Sequence, residues 1–399
     1  MKKNVTFLIN SLTSSGAEKV MSVLITELVR QSYNVELICL EKNNFYALPK
    51  EVKVTYLSQG SGEESGVQKL LAIPLLVWRL KQHIKGNNIA LVQSHIYRSN
   101  YINVLAKLFG AGHQAQVVNA GRVSRYLEQG VLGKVNLFLI KHLYARADLI
   151  ISKAEGMQAD MQALFHFKNA KKIINNPYDI EKIQTMAQEE VTDFCFEADK
   201  TYLISVGRLI ALKRNQDTMH TLSKLPEDVA LLLLGEGEER EKLTALAKTL
   251  DIAKRVHFLG QVSNPYKYIF RADIFVSASE SEGFPNVLVE SMICGTPVIS
   301  SDCVSGPREI LAPESRVGKK LQNNIEQAPY GILFSVADTE RLTEAITLLL
   351  QDETQKKSYT EKAKKRAEDF SVEKIVQQYK EIFKKINRQK DKHDGREKK

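Results

Sequence analysis

The sequence predicts an α/β protein with two doubly wound, mainly parallel sheets in series. Short apolar runs alternate with stretches of helical periodicity, the pattern of strand–helix–strand units. The alternation stops near residue 175 and begins again after residue 200. A length of 399 residues exceeds what one ordinary core organises. Hydrophobic residues make up 43% of the chain, enough to fill two cores, which excludes a wholly disordered protein.

In the first series, residues 5–9, 35–40, 89–93, 116–119, 149–152 and 172–174 read as buried strands. Helical patterns lie at 17–30, 100–109 and 134–146. In the second series the strands are 202–206, 229–234, 256–259, 274–277 and 298–300. Strands alternating with helices at this spacing build parallel sheets covered on both faces. Asn175-Asn176-Pro177 reads as a turn and divides a domain at 1–175 from one at 176–370. The polar, acidic stretch 188–200 reads as a linker or an irregular lead-in. Helices follow at 338–351, 357–368 and 372–385, the last within a separate segment, 371–386. The charged tail 387–399 is expected to be disordered.

The net charge of +9 is uneven. Residues 1–175 carry 22 basic against 11 acidic side chains, residues 176–383 carry 26 against 33, and residues 384–399 carry 8 against 3. A basic half suits an anionic partner, such as lipid head groups or a pyrophosphate; a solvated surface is the plainer alternative. Nucleic acid ranks low, because no zinc-finger spacing or aromatic-interleaved basic run occurs. Cys39, Cys195, Cys294 and Cys303 form no metal or redox spacing and read as buried thiols of a reducing compartment. The apolar run after Met1 is too brief for a signal peptide, and no run is long enough to span a bilayer. The expected location is therefore cytoplasmic, with membrane contact peripheral. The run 70–80, with Trp78 between Lys69 and Lys81, reads as an interfacial helix or as an ordinary helix packed on the sheet. Pro74, which would shorten it, and the helical pattern favour the second reading.

The clearest chemical signal is Glu280-Ser281-Glu282-Gly283-Phe284-Pro285-Asn286-Val287-Leu288-Val289-Glu290, running from a strand into a helix. Gly283 permits a tight turn and Pro285 suits a helix entry. Amides clustered at a helix start favour an anion or a hydroxyl-rich ligand, and an ionised Glu290 accepts hydroxyl hydrogen bonds. After the strand 202–206, Gly207 frees the backbone, and Arg208 and Lys213 follow on one loop. This is a phosphate grip or a solvated basic loop. Ser14-Ser15-Gly16-Ala17-Glu18 opens the first helix with a glycine turn but completes no dinucleotide fingerprint, and no P-loop is present. Ser305-Gly306-Pro307-Arg308-Glu309-Ile310 follows a strand and is expected to line the same crevice. No Asp-x-Asp triplet occurs, so no metal or other cofactor is expected.

Together these segments resemble the retaining GT-B glycosyltransferases of family 4, across roughly residues 3–385. The family's E-x7-E motif is matched by Glu282 and Glu290. The resemblance implies two Rossmann-like domains facing across a cleft, with the last helix crossing back to the first domain. It implies that Glu290 holds the ribose of a nucleotide sugar, and that Glu282 with Gly283, Phe284, Pro285 and Asn286 meets the transferred sugar, with Val287 counted among the donor-binding residues. Arg208 and Lys213 match the pair that grips the diphosphate beside Gly207. Gly16 matches the glycine that closes over it. The segment containing Gly260 and Val262 matches the place where the backbone reads the base. Two departures stand out. Ser15 replaces a frequent glycine, and Asn119-Ala120-Gly121-Arg122 stands where many relatives carry a histidine.

The resemblance implies a donor of UDP type carrying a hexose or N-acetylhexosamine, and a lipid-linked or glycan acceptor of bacterial surface polysaccharide synthesis. His95, Arg98, Asn119 and Arg122 are the acceptor-side candidates, with Arg208, Lys213 and Glu282 nearest the chemistry. Two alternatives stand beside transfer: a nucleotide-sugar epimerase of the same fold, and a non-catalytic partner of a transferase.

Overall fold

In the computed structural model, residues 3–394 are described, except 14, 15, 44, 61, 63 and 317. The chain divides into two compact units. One comprises the residues up to Pro177 together with those from Val372 on; the other is Tyr178–Ser371.

The first unit holds strands β1 (Asn4–Ile9), β2 (Asn34–Cys39), β3 (Lys53–Tyr56), β4 (Leu91–His95), β5 (Gln114–Asn119), β6 (Leu149–Ser152) and β7 (Ala170–Ile173). The second holds β8 (Thr201–Val206), β9 (Val229–Leu234), β10 (Val256–Gly260), β11 (Ile274–Ser277), β12 (Val298–Ser301), β13 (Ile325–Ala328) and β14 (Gly331–Phe334). The sheet orders are β3-β2-β1-β4-β5-β6-β7 and β10-β9-β8-β11-β12-β14-β13. Every pairing is parallel except β13 with β14. Both sheets are thus doubly wound. Their strand order reverses between β1 and β4 in one and between β8 and β11 in the other, the points where such sheets open a crevice at their carboxyl ends.

Three strands escape the sequence reading. β3 is an edge strand of four residues, none fully buried, and β13 is an antiparallel edge with one buried residue. Neither shows the continuous apolar run of a buried parallel strand. β14 is fully buried but only four residues long, too short for periodicity to reveal. The helix expected at 134–146 is an α-helix, Gly130–Leu139, that widens into a π-helical turn, Ile140–Tyr144. The run 70–80 breaks at Ala72, with Pro74 in the first turn of the helix Ile73–Gly86. That helix buries Leu76, Val77, Leu80 and Ile84 against the sheet and leaves Trp78 exposed.

The last helix runs Val372–Asp394, past the end expected near 386, so residues 387–394 are helical where disorder was expected; residues 395–399 lie outside the described residues. Val372, Ile375, Val376, Tyr379, Ile382 and Phe383 form its apolar stripe and enter the core of β1, β2 and the helix Gly16–Arg30. Tyr178 pairs with Ser371, so the chain enters and leaves the second unit side by side. Cys39, Cys294 and Cys303 are buried, but Cys195 is exposed in the irregular 188–200 stretch, contrary to the buried-thiol expectation.

The returning helix also covers a buried lysine. Lys153, just past β6, is 4% exposed and donates to the Tyr379 hydroxyl at 2.7 Å. Burial pulls its pKa down to about 7. In the unfolded chain a lysine titrates near 10.4. Between those values the unfolded state binds a proton that the folded state lacks, so this group makes stability rise with pH from about 7 to about 10. Urea unfolding at neutral and at alkaline pH is expected to show wild type gaining stability over Lys153→Met by on the order of a few kcal/mol. Equal pH slopes for the two proteins would count against a buried, readily deprotonated Lys153.

Candidate functional site

The reversal point of the second sheet is formed from four strand ends. After β8 the chain runs through Gly207 and Arg208 to a 3-10 turn, Ala211–Lys213, and then to Arg214, which sits at φ 48° before the helix Asn215–Leu222. The loop after β9 packs against it backbone to backbone: Leu209 N–H donates to Glu236 O and Glu239 N–H to Leu209 O, each at 2.9 Å. Only glycine permits this approach. A Cβ at Gly235 would lie 2.0 Å from Gly207 O, and one at Gly237 would lie 2.2 Å from Leu209 O. Gly260, at the end of β10, accepts from Gly235 N–H at 2.7 Å, and Val262 follows it half-buried.

The loop after β11 carries the Glu280–Pro285 segment. Glu280 N–H donates to Leu212 O at 2.9 Å, joining this loop to the 3-10 turn. Across that junction Lys213 Nζ donates to Glu282 Oε1 at 2.5 Å, with both side chains largely covered. Arg214 is engaged by Asp217 through two hydrogen bonds, 2.7 and 3.1 Å. Arg208 is exposed and, among the described residues, meets no carboxylate. The loop therefore presents one unpaired guanidinium beside a shared ammonium. Ser205, Gly207, Arg208, Lys213, Ser277 and Val287 line the resulting pocket.

The helix Asn286–Cys294 starts immediately after Pro285. Phe284 packs edge-on against Phe370 at 5.4 Å, and Asn286 Oδ1 accepts from the Tyr178 hydroxyl at 2.8 Å. Gly283 O accepts from Ser305 Oγ at 2.8 Å, while Gly306, at φ 86°, lies where a Cβ would be 2.4 Å from Pro285 Cδ. Glu290 sits one turn into the helix and is 3% exposed. Burial and the nearby Glu282 carboxylate push the Cys303 thiol up to about 12, so it stays protonated.

One expectation is corrected. The 305–310 segment does not turn its cation toward the crevice. Ser305 and Gly306 back the Gly283–Pro285 turn, but Arg308 is buried and binds Asp302 at 2.9 and 2.7 Å and Glu326 at 3.2 and 3.1 Å. Ser205, Asn215, Ser277 and Ser279 line the pocket unforeseen. Their lining role depends on β8 lying beside β11, and no local pattern carries that pairing.

In the first unit the acceptor-side candidates separate. His95 ends β4 and is 2% exposed; the Gln93 amide donates to its Nε2 at 2.9 Å. Burial, helped by Lys153, holds its pKa well below the ordinary value, so it is neutral at neutral pH. Asn119 ends β5, is fully buried and accepts from the Tyr97 hydroxyl at 3.2 Å. Arg98 is paired with Glu41, and Arg122 donates to Ser124 Oγ at 2.9 Å with Asp160 3.7 Å away. Gly16 opens its helix as expected, while Ser14 and Ser15 of that loop lie outside the described residues.

A family model described as Glycosyl transferases group 1 matches residues 188–366, and one described as Glycosyltransferase Family 4 matches residues 14–182. Over 370 residues the chain is 31% identical to the N-acetylgalactosamine-N,N'-diacetylbacillosaminyl-diphospho-undecaprenol 4-alpha-N-acetylgalactosaminyltransferase of Campylobacter jejuni, covering 92% of this chain and 96% of that one. It is 30% identical over 173 residues to the lipopolysaccharide 1,6-galactosyltransferase of Salmonella typhimurium, covering 42% and 46%. Among solved structures, Anabaena Alr3699/HepE in complex with UDP matches with a TM-score of 0.73 at 20% identity, covering 96% of this chain and all of that one. The sucrose-phosphate synthase of Thermosynechococcus elongatus matches with a TM-score of 0.80 at 18% identity, covering 96% and 99%. At these identities the two structural likenesses concern the fold.

Proposed function

Because this chain belongs to the family 4 glycosyltransferases, we propose that it moves a hexose or N-acetylhexosamine from a UDP-linked donor to a lipid-linked saccharide, with retention of anomeric configuration. The observation that carries the proposal is the meeting of the β8 and β11 loops, where Arg208, unpaired among the described residues, stands next to the Lys213–Glu282 pair. The donor's diphosphate takes up negative charge as its bond to the sugar breaks. Arg208 can fork across two phosphate oxygens and Lys213 adds a second positive charge, both aimed at the leaving group. Glu282 and the Gly283–Asn286 backbone hold the sugar, the first turn of the helix Asn286–Cys294 adds its dipole, and Glu290 takes the ribose hydroxyls. The two cations do the electrostatic work that a divalent metal does in other transferases, so EDTA is expected to leave the rate unchanged.

The Campylobacter relative is named for a diphospho-undecaprenol-linked acceptor, and this supports the same acceptor class here. The test is a panel of UDP sugars offered to the purified protein with and without a polyprenyl-diphosphate saccharide, with the product linkage read by NMR. The expected result is UDP release only when the acceptor is present, giving an α-linked product from an α-linked donor. Sugar interconversion on the nucleotide without any acceptor would replace this reading with an epimerase.

A further inference from the structure

We propose that Tyr178 and Phe370, which flank the two points where the chain crosses between its units, are positioning residues for the Gly283–Asn286 turn, and that through them the crossing points respond to the sugar on the nucleotide rather than to the nucleotide itself. The inference rests on the donor reading given above. Tyr178 is the first residue of the second unit and Phe370 the last but one. Both are 3% exposed, and Tyr178 N–H donates to Phe370 O at 3.0 Å, so each fixes the other. From this pair two side chains reach the turn, all within the second unit. The Tyr178 hydroxyl donates to Asn286 Oδ1 at 2.8 Å, and the Phe370 ring meets Phe284 edge-on at 5.4 Å. Arg366 steadies that ring. Its guanidinium lies 4.7 Å from the Phe370 centroid and donates to Glu309 O and Ile310 O at 2.9 and 3.2 Å.

The turn is therefore anchored at three of its four residues. Ser305 holds Gly283 O, Phe370 holds Phe284 and Tyr178 holds Asn286, while the ring of Pro285 restricts its own φ. Anchors on residues 284 and 286 fix the rotation of the segment as well as its place. Pro285 offers the helix Asn286–Cys294 no side-chain cap, which suits a helix start whose amides serve a ligand. Backbone amides cannot be re-aimed by a change of rotamer, so what they recognise depends on where the turn is held. A displacement of about 1 Å can cost on the order of 100-fold in rate. The diphosphate falls to Arg208 and Lys213 on another loop, and the ribose to Glu290, which is buried a turn deeper in the helix. Loosening the turn should thus cost sugar binding and spare the nucleotide.

The test is calorimetry of the full-length protein with UDP, and with UDP-glucose, UDP-galactose and their N-acetyl forms. Wild type, Tyr178→Phe, Phe370→Leu, Asn286→Ala and the double variant Tyr178→Phe/Asn286→Ala are compared. Tyr178→Phe removes one oxygen from a buried ring and keeps its shape, so the fold should hold. It is expected to bind the preferred UDP sugar about tenfold more weakly, the worth of one hydrogen bond, and UDP within about twofold of wild type. Phe370→Leu should shift the two affinities in the same sense. In the Asn286→Ala background, Tyr178→Phe should add nothing, because the hydroxyl acts through Asn286. Amide hydrogen exchange gives a second reading: at residues 178–180 and 369–372 the UDP sugar should slow exchange more than UDP does, and Tyr178→Phe should abolish the difference. Equal losses of UDP and UDP sugar in Tyr178→Phe, a full tenfold loss that persists in the Asn286→Ala background, or identical exchange with UDP and UDP sugar would each overturn the assignment and leave the donor reading standing. Failure of wild type to bind UDP or any of the four sugars would instead remove the donor reading, and this assignment with it.

Discussion

Arg208→Ala and Lys213→Ala will each slow sugar transfer by about 100- to 1,000-fold, the loss typical of removing one donor aimed at developing charge. The two variants should differ in how they fail. Arg208 is exposed and unpaired among the described residues, so its removal leaves no orphaned group and the unfolding temperature should not move. Its loss should fall mainly on kcat, because the charge it meets is largest in the transition state. Lys213 also neutralises Glu282, whose side chain is only 12% exposed. Lys213→Ala leaves that carboxylate without its partner, so some stability should go with the activity. Adding Glu282→Gln to Lys213→Ala should restore stability but not rate. Near-wild-type turnover in both single variants would remove the phosphate grip from the mechanism.

Arg308→Ala is expected to lower the unfolding free energy by about 3–5 kcal/mol, the usual cost of leaving one half of a buried ion pair behind. Arg308 is 6% exposed and clamps Asp302 with two hydrogen bonds, while Asp302 also accepts from Leu321 N–H at 2.7 Å. Without the guanidinium, a carboxylate with 1% of its side chain exposed has lost its counter-charge. The same segment, through Ser305 and Gly306, supports the Gly283–Pro285 turn, so donor binding should weaken as well. Urea unfolding gives the first effect and UDP calorimetry the second. Arg308→Met with Asp302→Leu should recover much of the stability, since apolar side chains of similar size often replace a buried pair without loss. A single variant within about 1 kcal/mol of wild type would mean that water reaches the pair.

The contrast between Arg208 and Arg308 shows how far the sequence could be read. Both arginines follow a parallel strand of the same sheet within a few residues of a glycine, and both stood as candidates for one crevice. One is exposed at the reversal point and the other is consumed by Asp302 and Glu326. Nothing local distinguishes them, because Glu326 lies on β13, an edge strand that carries no recognisable period. Likewise His95 and Asn119 were legible as strand-end polar residues. Their burial was not, because it is set by neighbouring strands rather than by adjacent residues, as where Phe7 of β1 packs edge-on against His95. Cys195 gave the opposite error: an apolar residue type in a polar, irregular stretch carries no sign of which way it faces.

The sequence by itself determined most of the strands and their alternation with helices, that the sheets are mainly parallel, and where backbone must turn tightly, but not the short strands β3, β13 and β14 or the antiparallel edge that β13 makes. Those properties depend on neighbours two to four positions apart, and the chain displays them as alternation, periodicity and glycine placement. Only the tertiary structure decided which charges remain available to a ligand and what holds the Gly283–Asn286 turn in place. Lys213 meets Glu282 across 69 residues, and Tyr178 reaches Asn286 across 108. A charge or an apolar face acquires its role from whatever packs against it, and that is set by strand order and close backbone contact rather than by the residues beside it in the chain.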